Sequence, residues 1–246
     1  MKRNVNIEKV VEFAQSESTS KQFRHDYPIS DETKEEMLLN VYNKFTKYMV
    51  DLASEEYYPI LKEFIDDHNL PEDKWEALVH NLFWWKVIYE SDADKETSYV
   101  EIFIDEHYDE FRNKPLMTSW LREWDRAIPK FYFVGHKHSD NVLVLVDILT
   151  QETLDVIVYD PTAFPPEKGE IVMGTLIPIG DALYFPIIDF YHFDVEVSGD
   201  LIRHINYYYE KHSECTLLEA FIHVLSAALQ IEHIILTENQ EHIPSE

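Results

Sequence analysis

Apolar residues recur every three or four positions through much of the first half of the chain, which is the spacing of one face of an α-helix. The pattern predicts helices over residues 31–52, 55–68, 71–89, about 97–107 and about 116–127. Ser30 is placed to cap the first helix, and Pro59 falls in the first turn of the second. Leu82 to Trp85 are apolar on every side of one turn, so the third helix is predicted to be the buried centre of this half.

After position 130 the pattern changes to short runs of β-branched and aromatic residues. All five glycines lie between Gly135 and Gly199, where they mark turns rather than helix interiors. The runs predict five strands, over residues 131–134, 142–149, 154–159, 171–177 and 183–188. Because the connections are short, we expect an antiparallel meander or a small barrel.

Helical periodicity returns after Gly199. Asp200 is placed to cap one helix, and Thr216 with Glu219 forms a capping box for a second. The fold class predicted is therefore α+β: a helical region over residues 1–129, an antiparallel β region over 130–198, and C-terminal helices with an acidic tail over 199–246. No Gly/Ser-rich linker separates these regions, which favours one integrated unit or tightly packed neighbours.

The net charge of −26 is spread over the whole chain. Such a field repels nucleic-acid phosphates and anionic membranes, so it predicts neither partner. It favours instead a protein partner with a basic or mixed-charge surface. Cys215 is the single cysteine, so an internal disulfide and a cysteine-based zinc site are excluded. No uninterrupted apolar run approaches the length of a membrane span, which predicts a cytoplasmic location; the oligomeric state is left open.

Two histidines form the strongest candidate for chemistry. His136 and His138 are two residues apart, so on a strand they would point the same way. A metal site there would need a third ligand, such as His192 or an acid. The alternative interpretation is a pair of exposed side chains with no ligand, and we expect no cofactor.

Two other residues invite a catalytic interpretation. Cys215 begins a predicted helix and follows His212 by three positions, which is one arrangement of a nucleophile and its base; the simpler interpretation is a cysteine with no role. Asp147 interrupts an apolar strand, and we expect it to bond to the turn at Thr150 rather than to act in catalysis.

The chain lacks the Gly-x-Ser-x-Gly, phosphate-loop, dinucleotide-binding and His-Glu-x-x-His motifs. The leading hypothesis is therefore a non-enzymatic interaction module that recognises a basic or mixed-charge protein. Two alternatives stay open. One is a metal-dependent hydrolase that uses His136, His138 and acids. The other is an acidic mimic of nucleic acid that occupies a basic groove.

Residues 82–189 resemble a region of uncharacterised bacterial proteins that often end in an SEC-C zinc motif. Two segments carry the resemblance, and they are matched at Asp147, Thr150 and Glu152, then at Lys168, Gly169, Gly174, Leu176, Pro178 and Gly180. The resemblance implies a shared helix-plus-β scaffold. Because the SEC-C motif binds zinc through cysteines that this chain lacks, zinc binding does not carry over.

Overall fold

The first half of the chain is built from helices, as the sequence predicts. The computed structural model describes residues 22–93, 98–160 and 162–241. The first 21 residues of the predicted helical region and the end of the predicted tail lie outside that description. The helices are α1 (Asp31–Glu35), a π-helical segment (Glu36–Tyr42), α2 (Asn43–Asp66), α3 (Glu72–Ala93), α4 (Tyr99–Glu106), α5 (Tyr108–Phe111) and α6 (Pro115–Leu121).

The two helices predicted over residues 31–52 and 55–68 are wrong as separate elements. The helix continues without a break from Asp31 to Asp66, with Pro59 inside α2 rather than in a first turn. The reason is that its buried face continues in phase through the expected break, at Phe45, Met49, Ala53, Tyr57, Leu61 and Ile65. Burial of this long stripe outweighs the backbone hydrogen bond that the proline removes.

Helix α3 is the centre of the helical half. Leu82, Phe83 and Trp84 are all buried, as the sequence predicts. Trp84 packs on Trp124 with ring centroids 5.1 Å apart. The Trp85 indole N–H donates to the backbone carbonyl of Leu218, at 2.9 Å, and so ties α3 to the C-terminal helix.

The sheet has seven strands, and the prediction of five antiparallel strands is wrong. They are β1 (Lys130–Ser139), β2 (Val142–Asp147), β3 (Thr153–Ile157), β4 (Ile171–Gly174), β5 (Leu176–Gly180), β6 (Leu183–Pro186) and β7 (Tyr191–His192), in the order β5-β6-β3-β2-β1-β4-β7. The pairs are antiparallel except β3 with β6, which run parallel. The α+β class is confirmed.

The run predicted as one strand over residues 171–177 is divided at Thr175. Its first part, β4, pairs with β1, and its second part, β5, pairs with β6 near the other end of the sheet. The end of β4 and the start of β5 are two peptide units apart, a span of at most about 7 Å. Since these strands lie near opposite ends of the sheet, the sheet must curl until its ends come together at Thr175. A separate apolar cluster belongs to this curled sheet, with Tyr132, Val134, Leu143, Leu145 and Val156 among its buried members.

Two helices close the fold, α7 (Ser198–Lys211) and α8 (Leu217–Glu241). Asp200 is not the cap of α7, because the helix already begins at Ser198, after a short 3₁₀ turn capped by Asp194. The capping box of α8 is confirmed: the Glu219 N–H donates to the Thr216 hydroxyl and the Thr216 N–H donates to the Glu219 carboxylate.

Helix α8 is long and apolar enough, by length and composition, to cross a membrane. Core helices of globular proteins pass the same test. Here the buried face includes the charged Glu232, which accepts hydrogen bonds from Lys74 Nζ (2.6 Å), the Tyr191 hydroxyl (2.9 Å) and the Asp194 N–H (2.8 Å). We interpret α8 as a core helix that packs on α3 and on the segment around β7.

Candidate functional site

A cleft of about 690 Å³ lies where the parallel strands β3 and β6 end. That volume is in the usual range of ligand pockets, roughly 300–1,000 Å³. Beyond β3 the chain continues as Val158, Tyr159 and Asp160, and beyond β6 it continues through residues 187–189; both segments line the cleft. A crevice outside the carboxyl ends of neighbouring parallel strands is a common place for a ligand in α/β sheets, and this single parallel pair has the same geometry.

The opposite wall of the cleft comes from the helix that begins at Asp31. Its lining residues include Leu38, Leu39 and Tyr42, all in the π-helical segment. Short π-helical stretches are rare and occur often at functional sites. Leu39 is 59% exposed, which leaves a large apolar side chain available at the mouth of the cleft.

Aromatic rings form part of the lining. Phe185 lies next to both Tyr42 and Tyr159, with ring centroids 5.7 Å and 6.3 Å away. Phe185 is buried, Tyr42 is half-buried, and Tyr159 is 44% exposed. The Tyr42 hydroxyl donates to the backbone carbonyl of Ile187 at 2.5 Å, which fixes its ring between the helix and the segment that follows β6.

Two carboxylates occupy equivalent places, each three residues beyond its strand: Asp160 after β3 and Asp189 after β6. Hydrogen bonds from the Thr162 hydroxyl and N–H, at 2.6 Å and 2.8 Å, hold the pKa of Asp160 below its ordinary value. Burial, and then the negative charge of Asp160, raise the pKa of Asp189. Burial and the same two carboxylates raise the pKa of Tyr42 to about 12, so this hydroxyl stays protonated.

The charge of the lining is strongly negative. Asp31, Glu35, Asp160 and Asp189 are acidic, and Lys34 is the one basic residue among the described residues that line the cleft. Lys34 is already paired with Asp181, Nζ to Oδ2 at 2.5 Å. The cleft therefore combines an apolar floor with an excess of carboxylates, which suits a ligand that is both apolar and cationic.

A second groove, of about 950 Å³, lies between α2 and α3. Its lining has charges of both signs, with Lys62 beside Glu72 and Glu76. The described residues that line it come from helices rather than from strand ends, and acidic residues exceed basic ones by less than in the first cleft.

The two histidines predicted to point the same way do so. His136 and His138 are both exposed on β1, with ring centroids 4.5 Å apart. They lie on a strand rather than in a turn because β1, with two bulges, continues its pairing with β2 as far as Ser139. His192 does not join them: its Nδ1 is 2.9 Å from the Glu170 carboxylate. Among the residues described, no three His, Cys, Asp or Glu side chains are grouped to hold a metal ion.

Cys215 is exposed and precedes α8, which begins at Leu217 rather than at the cysteine. The ring of His212 stacks on the ring of His223, with centroids 4.5 Å apart. Burial lowers the pKa of His212, and the neighbouring His223 lowers it further. The contacts of His212 are thus those of a stacked pair.

Asp147 bonds to the turn at Thr150, as expected. It ends β2, and its Oδ1 accepts from the N–H groups of Leu149 (2.8 Å) and Thr150 (3.1 Å). Its Oδ2 accepts from Lys130 Nζ at 2.6 Å. Burial alone would raise the pKa of Asp147, but Lys130 and the two N–H groups outweigh burial and hold it below its ordinary value.

The cleft is not among the sites predicted from the sequence. Asp160 and Asp189 each end an apolar run, Val-Ile-Val-Tyr-Asp and Phe-Pro-Ile-Ile-Asp, and this repetition was the available signal. No pattern in the chain indicated that these two runs would be parallel neighbours. No protein-family model, no curated protein and no solved structure matches the chain, and the resemblance of residues 82–189 stays a prediction.

Proposed function

We propose that this protein is a non-enzymatic binding module that takes a segment of a partner protein into the cleft between the π-helical segment and the ends of β3 and β6. The partner segment carries apolar side chains next to basic ones. The observation that carries the proposal is the coincidence, in one cleft, of an exposed apolar lining with four acidic residues and a single, already paired lysine.

The apolar part of the lining supplies affinity, and the carboxylates supply selection. Burial of side chains such as Leu39 and Tyr159 against a partner removes apolar surface from water, at roughly 25 cal/mol per Å². The carboxylates attract a basic segment and repel an acidic one. The net charge of −26 adds a long-range field that speeds the approach of a cationic partner at low salt.

Fluorescence polarisation with defined peptides tests the proposal. One short labelled peptide alternates leucine with arginine, and its matched control has glutamate at the arginine positions. We expect saturable binding of the basic peptide alone. The double variant Asp160→Asn/Asp189→Asn should weaken it by about tenfold or more, because each lost charge-assisted contact costs on the order of 1 kcal/mol or more.

Two further variants separate the cleft from general electrostatics. Leu39→Asp places a charge on the apolar mouth and should also weaken saturable binding. Glu55→Gln removes one exposed carboxylate from α2, away from the cleft lining, and should leave the affinity nearly unchanged. Equal weakening by Glu55→Gln and by the cleft variants would refute the proposal, as would binding of both peptides alike.

A further inference from the structure

The position of the two strand-end carboxylates relative to the aromatic rings narrows the chemistry of the ligand. Asp160 and Asp189 line the same cleft as Tyr42, Tyr159 and Phe185. Phe185 contacts both tyrosines, so aromatic surface is continuous along one side of the cleft. A cation bound there would meet carboxylate oxygens and ring faces together.

Guanidinium and ammonium groups differ in how well they fit a site made of carboxylates and aromatic rings. Guanidinium is planar, stacks on aromatic faces, donates through a fork that matches carboxylates, and is more weakly hydrated than ammonium. Lysine carries a compact, strongly hydrated charge, which costs more to bring against an apolar wall. The backbone carbonyl of Asp189 accepts from the Asn81 side-chain amide at 2.8 Å, but no described residue donates to its carboxylate, so the carboxylate oxygens are available to a donor from outside.

We propose that the cleft selects an arginine side chain of the partner segment, with the guanidinium held by Asp160 and Asp189 and stacked on Tyr159. This inference rests on the proposed function and names the residue type that the cleft recognises. Asp160 keeps one oxygen on Thr162, so its second oxygen is the one that accepts from the arginine. The apolar neighbours of the arginine in the partner then lie against Leu39 and Ile188 at the mouth.

The test uses two labelled peptides that are identical except for arginine or lysine at the basic positions. We expect the arginine peptide to bind at least about fivefold more tightly. Tyr159→Leu should reduce this preference to about twofold or less while the lysine peptide keeps its affinity, because the ring face serves the guanidinium. Asp189→Asn should weaken both peptides, and circular dichroism should show that both variants stay folded.

The outcomes separate the two proposals. Equal or tighter binding of the lysine peptide overturns the arginine inference and leaves the proposed function standing. Absence of saturable binding by either peptide overturns the proposed function itself. Agmatine, a free guanidinium compound, is added as a competitor. If it displaces the peptide at concentrations equal to those of unlabelled arginine peptide, the ligand is a small molecule and the inference of a protein segment fails.

Discussion

Replacement of Gly180 by alanine is expected to destabilise the fold by about 3 kcal/mol. Gly180 has a φ of +88°, and a Cβ there would lie 2.6 Å from Ile29 Cδ1 and 3.2 Å from the Tyr27 carbonyl oxygen. Positive φ costs alanine about 1–2 kcal/mol. Overpacking costs about 1–3 kcal/mol more, and the stiffer unfolded chain returns about 0.4–1 kcal/mol. Since Ile29 lies just before α1, the substitution should also displace the helical wall of the cleft.

Three other glycines provide matched controls that separate the cost of a positive φ from the cost of a steric clash. Gly169 has a φ of +93° with nothing within 4 Å, so alanine there tests the backbone alone and should cost about 1 kcal/mol. At Gly174 a Cβ would lie 2.7 Å from Phe190 Cδ1, without a positive φ, and the clash should cost about 2 kcal/mol. Gly199 has neither feature and lies in α7, so alanine should stabilise by about 0.5–1 kcal/mol.

Urea unfolding followed by tryptophan fluorescence measures all four variants. The free energy of unfolding should fall with urea concentration at the same slope in all four variants. Shifts in the unfolding midpoint then report changes in stability. The reasoning is refuted if Gly180→Ala is as stable as Gly199→Ala. It is also refuted if Gly169→Ala costs more than Gly180→Ala, because Gly180 carries the same backbone strain and a clash in addition.

Substitutions at three acidic residues test the buried and half-buried polar groups. Asp147→Ala should lower the free energy of unfolding at pH 7 by about 3 kcal/mol, because Lys130 and two N–H groups lose their acceptor. Since the pKa of Asp147 is lowered on folding, that loss should shrink as the pH falls below 3.8, and a loss that grows in acid would contradict it. Glu232→Ala should cost about 3 kcal/mol in urea unfolding, because three donors lose one acceptor, and Glu232→Gln should cost less. Burial raises the pKa of Asp125 to about 6, so the contribution of this one group to stability should fall as the pH rises from 3.8 to 6. Thermal unfolding should show Asp125→Asn about equal to wild type at pH 3.5 and about 2 kcal/mol more stable at pH 7.5; equal stability at both pH values would contradict this.

The helices were the most predictable part of the fold, because their apolar period and their caps are local. The Ser30 hydroxyl accepts from the Thr33 N–H as a cap should, and the Thr216–Glu219 box forms. The predicted break after residue 52 is wrong and with it the position of Pro59 in a first turn, because the buried stripe passes both in phase. The π-helical segment has no sequence signature of this kind, because its apolar residues also fit an α-helical period.

The strands were predictable as extended runs, but their partners were not. The sequence of a strand shows which of its residues point to each face of the sheet. Which other strand it pairs with depends on how the whole sheet curls. Thr175 illustrates the limit: Gly174 before it permits a change of direction, but no residue there indicates that the chain leaves β4 near one end of the sheet and joins β5 at the other. The parallel pairing of β3 with β6 follows from that curl. The cleft is a consequence of this pairing, so it could not be placed from local patterns.

The electrostatics of Asp189 bear on the function that we propose for the cleft. Asp189 is half-buried, whereas the fully buried acids have partners within the chain: Asp147 has Lys130, Glu232 has Lys74, and Glu170 faces His192. The groups that act most on Asp189 after burial itself are the like charge of Asp160 and two histidines that offset it in part. An asparagine would keep the shape of this wall without the cost of a half-buried carboxylate beside a like charge. A second carboxylate at this place therefore agrees with the proposal of a cationic ligand.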